Sequence, residues 1–259
     1  MNVGIRLKSP AEIEAMYRVN QVVAEALTLM SEAAKPGATT AQMDEIGRKV
    51  LEKHGAKSAF LNYPSSAGGK PFPATVCASP NEVIVHGIPS ADCVLKTGDI
   101  LSLDFGAVLD GWVGDSAITI PIGPVNADAA ALIATTRACL DAAIACMRNG
   151  NRLGDIGHAV QSLAESKGYG VVTEFVGHGV GRKMHEPPPV PNVGRAGSGE
   201  RLRPGMVFAI EPMINQGTPE VEVLADGWTA VTADRRLSAH IEHSVAITPD
   251  GPRVLSARR

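Results

Sequence analysis

Ile100-Leu-Ser-Leu-Asp104-Phe-Gly106-Ala-Val-Leu-Asp110-Gly111-Trp-Val-Gly-Asp115-Ser-Ala117-Ile-Thr-Ile120 reads as a β-hairpin. Asp110-Gly111 is a two-residue turn signal, because both residues tolerate positive φ. With that pair central, Gly106 faces Asp115 and Ala117 faces Asp104. Side chains alternate across a strand with period two. An unbroken hairpin therefore sets Asp104 and Asp115 on one face as diagonal neighbours. Two carboxylates flanked by Leu103, Phe105 and Ile118 are costly to bury without a partner. A cation is one remedy, and hydrogen bonds to turns at the sheet rim are the other.

Three later segments carry the same kind of interruption. Phe175-Val-Gly-His178-Gly-Val-Gly sets a histidine among glycines, which predicts close backbone approach and an exposed imidazole. Val207-Phe-Ala-Ile-Glu211-Pro-Met-Ile inserts an acid into an apolar strand, and so does Ala239-His240-Ile241-Glu242-His243-Ser-Val-Ala-Ile247. Four acids and one imidazole suit a borderline or hard divalent ion such as Mn, Fe(II), Co or Zn. Five ligands exceed the needs of one open catalytic ion and point to a two-metal site.

The helices flanking these strands come in two pairs. Ser9-Pro10-Ala11-Glu12 is a capping box with proline at the first helical position. Ile13, Met16, Val19, Val23, Leu27 and Met30 follow at helical spacing. Lys35-Pro36-Gly37 ends that helix; Thr39-x-x-Gln42 opens the next, which Gly55 ends. Further on, an alanine-rich helix from about Asp128 to Arg148 stops at Gly150. Another after Gly154-Asp155 stops at Gly168. Gly150 and Gly168 follow Gly37 and Gly55 by 113 residues each. That spacing predicts an α+β domain of two similar halves, about 1–125 and 126–259, with a site at their junction.

The chain has 259 residues, of which 44% are hydrophobic and 20% charged, enough apolar content for a packed core. Its 24 Lys+Arg against 27 Asp+Glu give a formal charge of −3, so no basic face for nucleic acid is expected. No apolar run reaches membrane length, and the N-terminus lacks the apolar core of a signal peptide. Cys77, Cys93, Cys139 and Cys146 are spaced unlike a zinc ribbon or a disulfide framework. A cytoplasmic monomer is expected, with no membrane contact and no direct contact with nucleic acid.

Five phrases together resemble the type I methionine aminopeptidases over nearly the whole chain. They are Asn81-Glu-Val-Ile-Val-His86-Gly-Ile-Pro89; the Asp104 to Asp115 hairpin; Gly177-His178-Gly-Val-Gly-Arg182-x-x-His185-Glu186-x-Pro188; Ile210-Glu211-Pro-Met213; and Asp226-Gly-Trp228 leading to Ser238-Ala-x-x-Glu242-His243. The resemblance implies a pseudo-two-fold pita-bread (creatinase/aminopeptidase-like) fold, with a central curved antiparallel sheet and outer helices. One catalytic domain would span 1–259. It also implies metal-dependent removal of the initiator methionine from nascent chains with a small, uncharged second residue.

In the family pattern Asp104 holds one divalent ion, His178 and Glu211 the other, and Asp115 and Glu242 bridge both. The ions would be Co, Mn, Fe(II) or Zn. Glu211 would shuttle a proton, and His86 and His185 would be catalytic contacts to substrate. Phe72, Cys77, Met184 and Trp228 would border the methionine pocket. Asn81, Val83 and Ser238 match a monovalent-cation site. The implied partners are deformylated nascent N-termini and the ribosome.

Within Pro64-Ser-Ser-Ala-Gly68-Gly69-Lys-Pro-Phe72-Pro73, Gly69 falls where relatives carry a pocket tyrosine. Met184 stands where an aromatic often precedes the second histidine. A loosened methionine pocket is therefore expected, unless Tyr63 or the Lys70 stem covers the gap. Asn2 is not a small residue, which predicts that the chain keeps its own Met1. A Xaa-Pro aminopeptidase or dipeptidase on the same fold would need a further N-terminal domain. A catalytically inactive peptide-binding relative would have lost metal ligands, and none is lost here.

Overall fold

The computed structural model describes residues 4–65 and 68–258; the expectation for Met1-Asn2 lies outside them. The chain opens with α1 (Pro10–Ala33), α2 (Thr40–His54), β1 (Lys57–Ser58), β2 (Val76–Pro80), β3 (Val83–Val85), β4 (Ile100–Leu109) and β5 (Trp112–Pro121). It continues with α3 (Ala127–Ala145), α4 (Leu153–Ser166), β6 (Gly170–Val171), β7 (Gly177–Gly179) and β8 (Glu186–Val190). Last come β9 (Val207–Ile210), β10 (Met213–Asn215), β11 (Val221–Val223), β12 (Ala230–Thr232), β13 (Ser238–His240), β14 (His243–Thr248) and β15 (Gly251–Val254).

Local chemistry sets the helix ends. Ser9 Oγ accepts from Glu12 N at 3.3 Å while Ser9 N donates to the Glu12 carboxylate at 2.9 Å, which satisfies two donors that α1 would leave open. Thr39 N donates to Gln42 at the start of α2, and Gly55 ends it with φ +61°. Two boundaries differ from expectation. α3 stops at Ala145, short of Arg148, because the chain turns at Cys146. α4 begins at Leu153, three residues before Ile156, since Asp155 accepts the Arg152 N–H at 2.7 Å and brings Gly154-Asp155 into the first turn. α4 and β6 begin 113 residues after α2 and β1.

Every strand pair in the four hydrogen-bonded sheets is antiparallel. β4 carries β1 and β2 along one edge and β5 along the other. α1 packs on this sheet through Met16, Val19, Val23 and Leu27 against Leu101, Leu103, Phe105 and Ile118. α3 and α4 cover the second half, where Leu132, Leu140, Ile156 and Val160 meet Phe208, Ile210 and Val245. Each pair of helices thus buries its apolar stripe against its own strands. No helix among the described residues is long and apolar enough to cross a membrane.

β5 sews the halves together. Ser116 Oγ donates to the Glu242 carbonyl at 2.7 Å, and Thr119 Oγ1 donates to the His240 carbonyl at 2.7 Å. Ser244 Oγ donates back to the Asp115 carbonyl at 2.8 Å, and Glu242 N donates to Ala117 O at 2.9 Å. Buried hydroxyls here take up carbonyls that no regular ladder serves.

Candidate metal centre

The β4–β5 hairpin has the register that puts two acids side by side. Asp104 pairs with Ala117 and Gly106 with Asp115, without a bulge. The turn residues Asp110 and Gly111 have φ of +52° and +72°. Cys77 pairs with Asp104 and shares its face. Asp115 is pinned from behind, where its N–H donates to Asn20 Oδ1 on α1 at 3.2 Å. Gly114 lets α1 come that close, for a Cβ there would sit 3.0 Å from the Asn20 backbone nitrogen.

Glu211 and Glu242 do not lie inside strands, as the sequence suggested. Each sits in a break where the chain passes from one sheet to another. Ile210 pairs with His243 in one sheet, and Met213 pairs with His240 in another. Pro212 cannot donate to a ladder, so pairing stops there. The bend turns both carboxylates inward. The His178 imidazole is 7% exposed, so the expectation of an open ring also fails. The close approach it rested on does hold. A Cβ on Gly177 would collide with the Ala209 carbonyl, and one on Gly179 with the Pro187 carbonyl.

These elements bring Asp104, Asp115, His178, Glu211 and Glu242 to one cavity of about 440 Å³. Carboxylate oxygens of Asp104, Asp115 and Glu242 all lie within 4.8 Å of one another. His178 Nε2 stands 3.5 Å from Asp115 Oδ2 and 3.6 Å from Glu211 Oε1. His178 Nδ1–H donates to the Gly179 carbonyl at 2.9 Å. Burial drops the His178 pKa to about 3, so Nε2 bears a lone pair. Acceptors therefore face acceptors. Asp104 Oδ1, Asp115 Oδ1 and Glu242 Oε1 are buried with no hydrogen-bond partner among the described residues.

Burial raises the pKa of all four acids. Crowding by Asp115 raises Asp104 and Glu242 further, and Glu211 crowds Asp115. Burial alone lifts Glu211 to about 8. Left to themselves these groups would hold protons. A divalent cation relieves the same repulsion and satisfies the orphaned oxygens, so the donor set fits one. The Gly179 carbonyl fixes the tautomer that ligation by Nε2 requires.

Aromatic and sulfur side chains form the rest of the cavity. Phe72, Cys77, Met184 and Trp228 line it, as do His86 and His185. The Phe72 and Trp228 rings lie 5.2 Å apart edge to face. The Trp228 turn is built by Asp226, whose Oδ1 accepts from Trp228 N and Thr229 N at 2.8 Å each. His86 has φ +61° and stands edge-on to Phe175 at 5.2 Å. Burial lowers its pKa to about 4.

Gly69 is exposed and does not line the cavity. Tyr63 stands in the wall instead, its hydroxyl 2.6 Å from His185 Nδ1. Phe72 N–H donates to the Tyr63 carbonyl at 2.9 Å, which ties these two residues of the wall together.

Asn81 O accepts from Ser238 N at 2.9 Å, and Val83 pairs with Val231 close by. Sequence reading passed over His240. It is buried, and its Nε2, 3.5 Å from Glu211 Oε2, has no hydrogen-bond partner among the described residues. Its spacing of two from Glu242 was the available signal, since alternate residues of an extended segment share a face.

The profile of metallopeptidase family M24 matches residues 14–249. A methionine aminopeptidase of Clostridium acetobutylicum is 46% identical over 252 residues, 97% of this chain and 98% of that protein. The crystal structure of a methionine aminopeptidase from Thermotoga maritima superposes with a TM-score of 0.94 at 42% identity, covering 98% of this chain and all of the other. A Xaa-Pro dipeptidase from Bacillus anthracis shares the fold at a TM-score of 0.75 and 20% identity, and this chain spans 62% of its length.

Proposed function

We infer that this chain, which belongs to the methionine aminopeptidases of metallopeptidase family M24, releases the initiator methionine from nascent polypeptides whose second residue is small and uncharged. The observation that carries this reading is one cavity lined by Asp104, Asp115, His178, Glu211 and Glu242 together with aromatic and sulfur side chains, with carboxylate oxygens of Asp104, Asp115 and Glu242 within 4.8 Å of one another. Phe72, Trp228, Cys77 and Met184 suit a methionine side chain, because sulfur and aromatic edges attract each other.

Asp104, Asp115, His178, Glu211 and Glu242 would hold two divalent ions, drawn from Co, Mn, Fe(II) and Zn. Bound there, the ions supply Lewis acidity to the scissile carbonyl and to water. Glu211 takes the proton released by the water and hands it to the departing amine. His86 and His185 are neutral and donate to the substrate carbonyl. The substrate side chain excludes water from the apolar wall.

Asn81, Val83 and Ser238 would supply oxygens to a structural monovalent cation. The whole chain would act as a single domain and a cytoplasmic monomer, and it would meet deformylated N-termini at the ribosome.

The test is methionine release from Met-Ala-Ser after exhaustive chelation and again after Mn, Co or Fe(II) is restored. Activity only when metal is present supports the reading. Undiminished release by metal-free protein sinks it, and cleavage of Ala-Pro peptides instead would turn it toward Xaa-Pro substrates.

A further inference from the structure

His185 stands on a segment whose backbone is held from two sides. The Glu186 carboxylate accepts from Arg182 N at 2.7 Å, from Lys183 N at 3.2 Å and from Lys8 Nζ at 2.8 Å. Lys8 is 5% exposed, so that ion pair is shielded from water on its side. The Arg182 guanidinium lies 3.7 Å over the Trp112 ring and donates to the carbonyls of Asp110 and Gly111 at 3.1 Å each. The segment is thereby fastened to the turn of the acidic hairpin. What remains free is the rotation of the His185 ring and the choice of which nitrogen bears its proton.

One contact settles both. Tyr63 Oη is 2.6 Å from His185 Nδ1, and it is the one hydrogen bond of either side chain among the described residues. A nitrogen donor to oxygen usually sits at about 2.9–3.0 Å, whereas hydroxyl donors come closer. The short separation thus assigns the proton to the phenol. Burial raises the Tyr63 pKa, which keeps that proton in place.

We propose that Tyr63 is a positioning residue for His185: its hydroxyl donates to Nδ1 and fixes the neutral ring in the tautomer that carries its own proton on Nε2. Nε2–H then remains as the one donor the ring can offer to a substrate carbonyl. Without the phenol the ring exchanges tautomers, and the form with a lone pair on Nε2 repels that oxygen. This inference rests on the reading of His185 as a substrate contact.

The test uses zinc-loaded enzyme, ¹⁵N-labelled at histidine, with His185→Ala to assign the signal. Wild type should show His185 with its proton on Nε2. Tyr63→Phe should show a mixture with Nδ1–H. Its kcat should fall about tenfold, the size of one neutral hydrogen bond, while KM stays within about twofold, because the loss falls on the transition state. Tyr63→Phe added to His185→Ala should cost nothing more. An unchanged tautomer in Tyr63→Phe overturns the role of Tyr63, as does a full second loss in the double variant. Undiminished kcat in His185→Ala would instead remove the reading of His185 itself, and the proposal with it.

Discussion

Asp115 Oδ2 lies 3.5 Å from His178 Nε2, although the two residues belong to opposite halves of the chain. Asp115 comes from the hairpin packed under α1, and His178 from a glycine-flanked strand covered by its own neighbours. Neither half holds the donor set alone. Asp115 also neighbours Asp104 and Glu242, so the carboxylates of the two halves meet at it.

Removing metal should make stability fall with pH. Glu211 stands at about 8 against 4.5 for an ordinary glutamate. A raised carboxyl favours the folded state fully below its unfolded pKa, and that contribution is lost as pH rises through the folded value. In ion-free protein the melting temperature should therefore decline between about pH 4.5 and 8, further if the other raised acids follow. Zinc-loaded protein should hold level over that window. Calorimetry of both forms checks this, and parallel curves would refute it.

Glu211→Gln should lower kcat by several orders of magnitude, since ligation and proton transfer are lost together. His185→Ala should cost about 10²–10³ in rate, the usual loss for one oxyanion donor. Metal content, measured by elemental analysis, should drop in Glu211→Gln and stay near two ions in His185→Ala. An empty site in His185→Ala would contradict its separation from the ligands.

Gly177→Ala should destabilise by about 1–3 kcal/mol, the range for inserting a methyl where none fits. The new Cβ meets the Ala209 carbonyl, backbone that cannot swing aside. Since β7 and β9 must part, His178 should also move from Glu211. Urea titration and zinc affinity should worsen together; a stable variant with normal affinity would count against the close approach.

Gly69→Tyr should leave KM for Met-Ala peptides within about twofold, as exposed substitutions usually do. Gly69 is exposed, and among the described residues a Cβ there would meet only the Ser65 side chain at 3.5 Å or more. A marked fall in KM would mean that the ring reaches the pocket after all.

The most legible parts of the sequence were those governed by a period or by a single turn. Asp110-Gly111 fixed the hairpin register, so the placement of Asp104 beside Asp115 followed from alternation alone. The capping boxes at Ser9 and Thr39 and the glycines at 55 and 168 marked helix ends because each supplies a specific hydrogen bond or φ. What escaped was set by tertiary contact. The breaks at Glu211 and Glu242 depend on which sheet each strand joins, and apart from Pro212 nothing local to those residues encodes that. Tyr63 and Gly69 were confused because loop lengths follow no period, so counting residues between Tyr63 and Phe72 could not say which of them faces inward.

The stitching of β5 to residues 240–244 also dictates when the enzyme comes alive during its own synthesis. Asp104 and Asp115 leave the ribosome early, yet Glu242 and the carbonyls that Ser116 and Thr119 bind lie in residues 240–242, more than a hundred residues later. A chain interrupted anywhere before them lacks Glu242 and so has no complete centre. An unfinished copy is therefore silent as a protease, and each new molecule depends on older, completed ones for any trimming of its own beginning.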